Sequence, residues 1–289
     1  MKQYYQVADF VFGIEAAEAQ LAQLPNYTPF LVPACSDPLF MIRVCEQAAP
    51  ATDDWTHVYT DTSDDDMPRI EMYRRADEWL FRVSVSKEGE IVSVMQCSAE
   101  WKEVNLYLRA EYTRFAIDNA AMLVYAFATV HRRTLLFHSS VTVRQNQAFM
   151  FLGHSGTGKS THSQQWHKAF DDAWLLNDDN PAVRILPDNT VRVYGTPWSG
   201  KTPCYKNESV PVAALVQLAQ APENRINLLK MTQAYPYILA SVSGIKVLPQ
   251  MMDALYSSIA KLLELKPVYK LECLPNTDAA RLCAQTCSL

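Results

Sequence analysis

The sequence predicts an α/β protein with a mixed sheet, preceded by a smaller β-rich N-terminal region. Three observations carry this. Apolar β segments alternate with helical patterns from about Leu135 onward. Before residue 113 the chain instead holds short apolar runs cut by Pro25, Pro29, Pro33, Pro38 and Pro50. Finally, a glycine-rich loop, Gly153–Ser160, stands between an apolar strand pattern and a helical one. At 289 residues the chain exceeds the usual single-domain size, so two regions are expected, 1–112 and 113–289.

In chain order, Phe10–Phe12 and Phe40–Val44 read as short strands, and Asp61–Asp66 as an acidic, solvated turn. Ile70–Tyr73 and Trp79–Val85 alternate as strands with one wet face, and Lys87–Glu90 turns the chain into a hairpin with Ile91–Met95. Arg114–Val130 is apolar over much of its surface and predicts a well-buried helix joining the two regions. Leu135–Val141 and Ala148–Leu152 are strand candidates separated by the polar turn Arg144–Gln147. After the glycine loop come a helix from Lys159 to about Phe170 and a short strand, Ala173–Leu176, that delivers Asn177–Asp178–Asp179 at its end. Further strands are expected at Ala182–Ile185, Thr190–Tyr194 and Val212–Gln217. Helices are expected near Ala234–Ala240, Leu248–Leu265 and Asp278–Thr286.

Composition excludes several functions. With 49% hydrophobic and 20% charged residues the chain is ordinary globular protein. A net charge of -5 without a basic run argues against nucleic acid or an anionic membrane as partner. The seven cysteines are odd in number, scattered and never spaced C-x-x-C, which argues against a disulfide framework or zinc site. No apolar run approaches the ~20 residues that span a bilayer. The start lacks signal-peptide order, so the expected compartment is the cytoplasm.

The loop matches G-x-x-x-x-G-K-[ST] completely, after a strand and at the start of a helix. Gly153, Gly156 and Gly158 let successive N–H groups, with those of His154, Ser155 and Thr157, converge on phosphate oxygens. The helix N-terminus adds unsatisfied N–H groups and a positive dipole end. Lys159 is expected to reach the β and γ oxygens and Ser160 to offer a hydroxyl to Mg²⁺. Thr161 is expected to cap or to contact the α-phosphate. His154 and His162 flank the loop and are expected at the surface.

Phosphoryl transfer also needs a carboxylate for magnesium and, with a hydroxyl acceptor, a base. Asp178 and Asp179 follow a strand downstream of the loop, where the carboxyl end of a parallel strand would set them beside the phosphates. As neighbours they point in different directions, one suited to metal and the other to the acceptor. Gly195–Lys201, with two glycines, a proline and Trp198, suits either an active-site loop in which Lys201 stabilises transferred charge or a structural turn. Arg184 and Arg225 are further cationic candidates.

His138, the loop with Lys159–Ser160, and Asn177–Asp178–Asp179 together resemble the catalytic domain of HPr kinase/phosphorylase, over roughly Leu135–Leu218. The loop wording Gly153–Thr161 is also similar to that of ATP-dependent phosphoenolpyruvate carboxykinases, which share the architecture. The resemblance implies a P-loop nucleotide domain over 113–289 that takes ATP and Mg²⁺, with Lys159 and Ser160 on phosphates and metal. By the same likeness the Asp pair divides base and metal roles, Asp178 as base and Asp179 on metal, and His138 lies close to the active centre. Relatives form hexamers, which implies self-association. The glycine-rich signature that HPr kinase/phosphorylases carry after the Asp pair is not found. Nor does the N-terminal region match their regulatory domain, which argues against phosphorylase activity and HPr as substrate. The carboxykinase chemistry fails on size and on missing substrate segments.

The expectation is therefore a kinase moving the γ-phosphoryl group of a nucleoside triphosphate to a hydroxyl, on serine of a protein or peptide or on a small molecule. The alternative is a nucleotide-binding regulatory protein without phosphoryl transfer. Simple hydrolysis lacks an identifiable water-positioning residue, and no N-K-x-D motif marks a guanine preference.

Overall fold

A computed structural model describes residues 1–61, 68–200, 202–244, 246 and 248–287. The acidic Asp64–Asp66 cluster and Lys201 lie outside the described residues. The chain forms two compact units, one of Met1–Ala128 with Ile245–Leu248 and one of Thr129–Gly244 with Pro249–Leu289. Each unit is mixed α/β and built on its own sheet.

The first unit contains β1 (Lys2–Val7), β2 (Phe10–Glu15), α1 (Glu18–Leu21), β3 (Leu31–Val32), β4 (Met41–Val44), β5 (Thr56–Asp61), β6 (Ile70–Arg75), β7 (Glu78–Ser84), β8 (Ile91–Cys97), β9 (Glu103–Leu108) and most of α2 (Thr113–Thr129). Its sheet runs β3-β1-β2-β4-β9-β8-β7-β6-β5 and is antiparallel except where β4 pairs β2 and β9. The β7–β8 hairpin lies where the Lys87–Glu90 turn was expected. β1 and β9 were not. The β1–β2 turn is Ala8–Asp9, both at positive φ, a twist usually made by Asn-Gly or Gly-Gly, so no turn signal marked it beforehand.

Helix α2 packs within this first unit, so the division falls after the helix and not before it at residue 112. Its buried face explains why. Tyr125 packs edge-on to Phe10 and Phe12 and donates its hydroxyl to the Val7 carbonyl at 3.0 Å, while Phe127 meets Trp101 at 4.5 Å. Phe12 sits at the centre, stacked on Phe40 at 4.9 Å and tilted against Tyr5 at 5.7 Å.

The second unit contains β10 (Thr134–Leu136), β11 (Ser139–Arg144), β12 (Gln147–Leu152), α3 (Lys159–Ala169), β13 (Trp174–Asp179), β14 (Ala182–Ile185), β15 (Val191–Tyr194), β16 (Ser209–Gln220), β17 (Arg225–Leu228), α4 (Met231–Ser241), α5 (Pro249–Leu265), β18 (Val268–Cys273) and α6 (Thr277–Cys287). The sheet order is β10-β14-β15-β16-β12-β11-β13, with β18 beside β16 and β17 beside β18. β16 serves two neighbourhoods, pairing antiparallel with β15 at its start and parallel with β12 and β18 beyond it. One face carries α3 and α6 over a core of Phe149, Phe151, Trp166, Val216, Leu271 and Cys283. β17 and β18 were not anticipated from the sequence. No helix of the described residues is long and apolar enough to cross a membrane.

Truncating the fully buried Phe12 to Ala removes the ring on which four aromatic neighbours pack. The first unit is expected to lose about 3–5 kcal/mol, read as an earlier unfolding transition in urea followed by tryptophan fluorescence.

Candidate functional site

Strand register builds the site. β11 is antiparallel to both β12 and β13, and Ser139 at its start stands opposite Leu152 on one side and Asp179 on the other. The carboxyl ends of β12 and β13 are therefore level, two strand spacings apart, or about 10 Å. The glycine loop that leaves β12 and the aspartates that end β13 share one edge of the sheet. His138, the residue before Ser139, lies on that edge between them. Parallel pairing of β16 with β12 brings Gln220 to the same edge, where its Nε2 donates to the Gly156 carbonyl at 3.2 Å.

The loop's conformation depends on glycine at two open positions. Gly156 (φ +78°) and Gly158 (φ +104°) have free space where a Cβ would stand, so backbone conformation, not crowding, requires them. Gly158 is the N-cap of α3, and no side chain caps that helix start. Its first N–H groups and dipole end thus lack a side-chain cap, and His154, Ser155 and Gly156 of the loop and Ser160 and Thr161 of the first turn are all exposed. Thr157 folds onto the loop itself, its Oγ1 donating to the His154 carbonyl at 2.7 Å, and Gly153 begins the turn.

Lys159 folds back over the loop. Its ammonium donates to the Gly153 carbonyl at 2.8 Å, the His154 carbonyl at 3.2 Å and Nε2 of His138 at 3.0 Å. An ammonium has only donors, so Nε2 of His138 accepts and Nδ1 carries the proton, which it donates to Oδ1 of Asp179 at 2.8 Å. Lys159, His138 and Asp179 form one hydrogen-bonded line from loop to strand end. Burial holds the Lys159 ammonium below the usual lysine range, opposed by the charges of Asp179 and then Asp178.

The two aspartates face opposite sides of the sheet, as alternation requires. Asp178 lies opposite Ser140, whose hydroxyl meets that of Ser163 on α3 at 2.6 Å, so Asp178 belongs to the α3 face. Asp179 belongs with Ser139 and His138. Asp178 is only 7% exposed, and its Oδ1 is a buried acceptor without a hydrogen-bond partner. Such an atom is costly unless something else occupies it.

The Gly195–Gly200 segment lies along the outer edge of β13. Ser199 bridges Asp179, the Gly200 N–H reaches the Asp178 carbonyl at 3.3 Å, and the Asn180 N–H reaches the Trp198 carbonyl at 3.2 Å. Trp198 is buried, 5% exposed, as a structural turn packed on the core would have it.

The expected surface position of His162 is overturned: it is 3% exposed. It lies four residues before Trp166 on the inner face of α3, accepts the Trp166 Nε1–H at 3.1 Å and packs edge-on to Phe151. His154 is exposed, as expected. Asn177 to Asp179 are part of β13 itself and do not follow its end. Arg184 stands on β14 opposite Arg192, and Arg225 on β17 opposite Glu272. The sequence singled out Asn177 only within the Asn177–Asp179 run and Thr196 only within the Gly195–Lys201 segment, with no role for either alone; Thr196 is buried beside Asn177.

Among the described residues no group of three or more His, Cys, Asp or Glu side chains could hold a metal ion by itself. No family model matches the chain, and comparison with curated proteins finds no significant match in sequence.

Burial brings the His162 imidazole from its ordinary 6.5 down to about 4. A depressed folded value means that the neutral form stabilises the fold above pH 6.5 and that this contribution is lost as pH falls toward 4. At about 1.4 kcal/mol per unit the loss is on the order of 3 kcal/mol. His162→Gln keeps an acceptor for Trp166 and is expected to flatten the fall in urea stability between pH 7 and 4.5. An unchanged pH dependence would assign it to other groups.

Proposed function

We propose that the second unit binds a nucleoside triphosphate and moves its γ-phosphoryl group to a hydroxyl, on serine of a protein or peptide or on a small molecule. One observation carries this reading. The Lys159–His138–Asp179 line and the buried, unpartnered Asp178 carboxylate stand level with an uncapped glycine loop. The finer fold assignment, a P-loop domain of the HPr kinase/phosphoenolpyruvate carboxykinase kind, draws on the same strand–loop–helix arrangement and the same residues.

The loop amides and the start of α3 receive the phosphate oxygens. Lys159 exchanges its carbonyl acceptors for the β and γ oxygens, which are better partners for a partly desolvated ammonium. His138, held by Asp179, limits where the ammonium can swing. Asp178 takes the acceptor's hydroxyl proton as the oxygen–phosphorus bond forms. The bond from the γ phosphorus to the β–γ bridging oxygen breaks, and the nucleoside diphosphate leaves with that oxygen.

The donors fit Mg²⁺, a hard cation that binds oxygen and keeps much of its coordination on phosphates and water. Ser160 supplies an exposed hydroxyl and Asp179 a carboxylate. When bound, the ion would neutralise charge on the β and γ oxygens. The protein is read as a cytoplasmic enzyme that associates with itself.

A regulator that binds nucleotide without transferring phosphate is the second reading, favoured by the burial of Asp178. The two separate experimentally. Calorimetry with Mg·ATP and Mg·GTP is expected to give a heat of binding that Lys159→Met weakens at least about tenfold. Asp178→Asn is expected to leave binding intact and lower γ-phosphoryl transfer or slow hydrolysis by about 10²–10⁴. Binding with no turnover toward serine peptides, small hydroxyl compounds or water supports the regulator; absence of binding removes both.

A further inference from the structure

We infer that Thr196 and Asn177 are positioning residues that fix the Asp178–Asp179 pair for metal and acceptor. The inference rests on the phosphotransfer reading above and adds two residues to it. Both side chains are fully buried, so neither can touch a nucleotide and any effect must pass through the acids.

Their hydrogen bonds converge on the backbone around those acids. Oδ1 of Asn177 accepts the Asp179 N–H at 3.0 Å. Nδ2 of Asn177 donates to Oγ1 of Thr196 at 3.2 Å and reaches the Thr196 carbonyl at 3.4 Å. The Thr196 hydroxyl in turn donates to the Asn180 carbonyl at 2.7 Å, with the Trp198 carbonyl at 3.3 Å, and accepts the Trp198 N–H at 3.2 Å. Asn180 is held at both other ends, its N–H by the Trp198 carbonyl and its side-chain oxygen by the Ser243 hydroxyl at 2.6 Å.

The end of a strand is where backbone ordinarily loses its ladder partners and frays. Here the groups just before and after Asp179 are tied through one hydroxyl and one amide to the Thr196–Trp198 turn. Thr196 satisfies donor and acceptor capacity together, which valine of the same shape cannot do. Removing that hydroxyl leaves the Asn180 carbonyl, the Trp198 N–H and one Asn177 N–H short of a buried partner, and the Asp179 carboxylate is freed to shift with them.

The experiment measures ATP affinity by calorimetry twice, with Mg²⁺ and with EDTA, for wild type, T196V and T196S. Wild type is expected to bind more tightly with Mg²⁺. T196V is expected to keep the EDTA affinity and lose about 10–100-fold of the magnesium-dependent gain, as outer-shell changes do at metal sites, and T196S to restore most of it. An unchanged gain in T196V, an equal fall under both conditions, or a loss that T196S does not rescue overturns the inference while leaving the phosphotransfer reading intact. Wild-type protein that binds no ATP sinks that reading and this one with it. Should T196V fail to fold, T196A makes the same comparison.

Discussion

The site depends on a matter of register. Because β11 is antiparallel to both β12 and β13, the single residue Ser139 levels the last residue of one with the last of the other. Shift either pairing by one residue and side chains change faces. Asp178 would then point where Asp179 does, and His138 would lose its place between lysine and carboxylate. The buried hydrophobic face of Phe149, Phe151 and Val216 beneath α3 and α6 forbids that slip, since slipping would turn those side chains to the other side of the sheet. Core packing thus fixes the polar geometry at the sheet's edge.

Given that register, the charges sort themselves. Lys159 is partly desolvated and would be poorly placed alone, yet it meets two carbonyls and an imidazole, and the charges of two carboxylates favour its protonated form. The histidine's tautomer follows from its neighbours without further assumption, since one partner only donates and the other only accepts. The Asp178 oxygen is the exception. Nothing among the described residues hydrogen-bonds it, whereas the other charged groups of the site are paired; the Ser139 hydroxyl, across the ladder from Asp179, is a second buried polar group there without a partner.

Much of this was legible beforehand because it depends on local pattern. The glycine loop is contiguous, its context of strand and helix is periodic, and the aspartates are adjacent in sequence. The acids fall within β13, not after it, because Asn177 and Asp178 continue the ladder with Val141 and Ser140, which hydrophobicity alone does not reveal. His162 was misjudged for a related reason: a polar residue near an exposed loop reads as surface, but helical spacing puts it beside Trp166 on the inner face. Helix α2 was assigned to the later region on sequence order, while its aromatic contacts tie it to the earlier one. Thr196 lay inside the Gly195–Lys201 segment read as an active-site loop or a turn, but nothing local singled it out, since its hydrogen bonds reach across nineteen residues.

The two faces of β13 suggest why adjacent acids serve such a site better than acids further apart. In a strand, neighbours point to opposite faces while their backbones are held by the same ladder, so a constraint on one is a constraint on the other. Asp179 is committed to His138 and through it to the loop lysine, whereas Asp178, one residue away on the α3 face, retains an oxygen with no partner. Separation of roles is thereby obtained without separation of support. The same backbone bonds that align the charged line with the glycine loop also fix where the uncommitted carboxylate can stand, so a phosphate held by one and a hydroxyl met by the other would be positioned by a single piece of rigid chain.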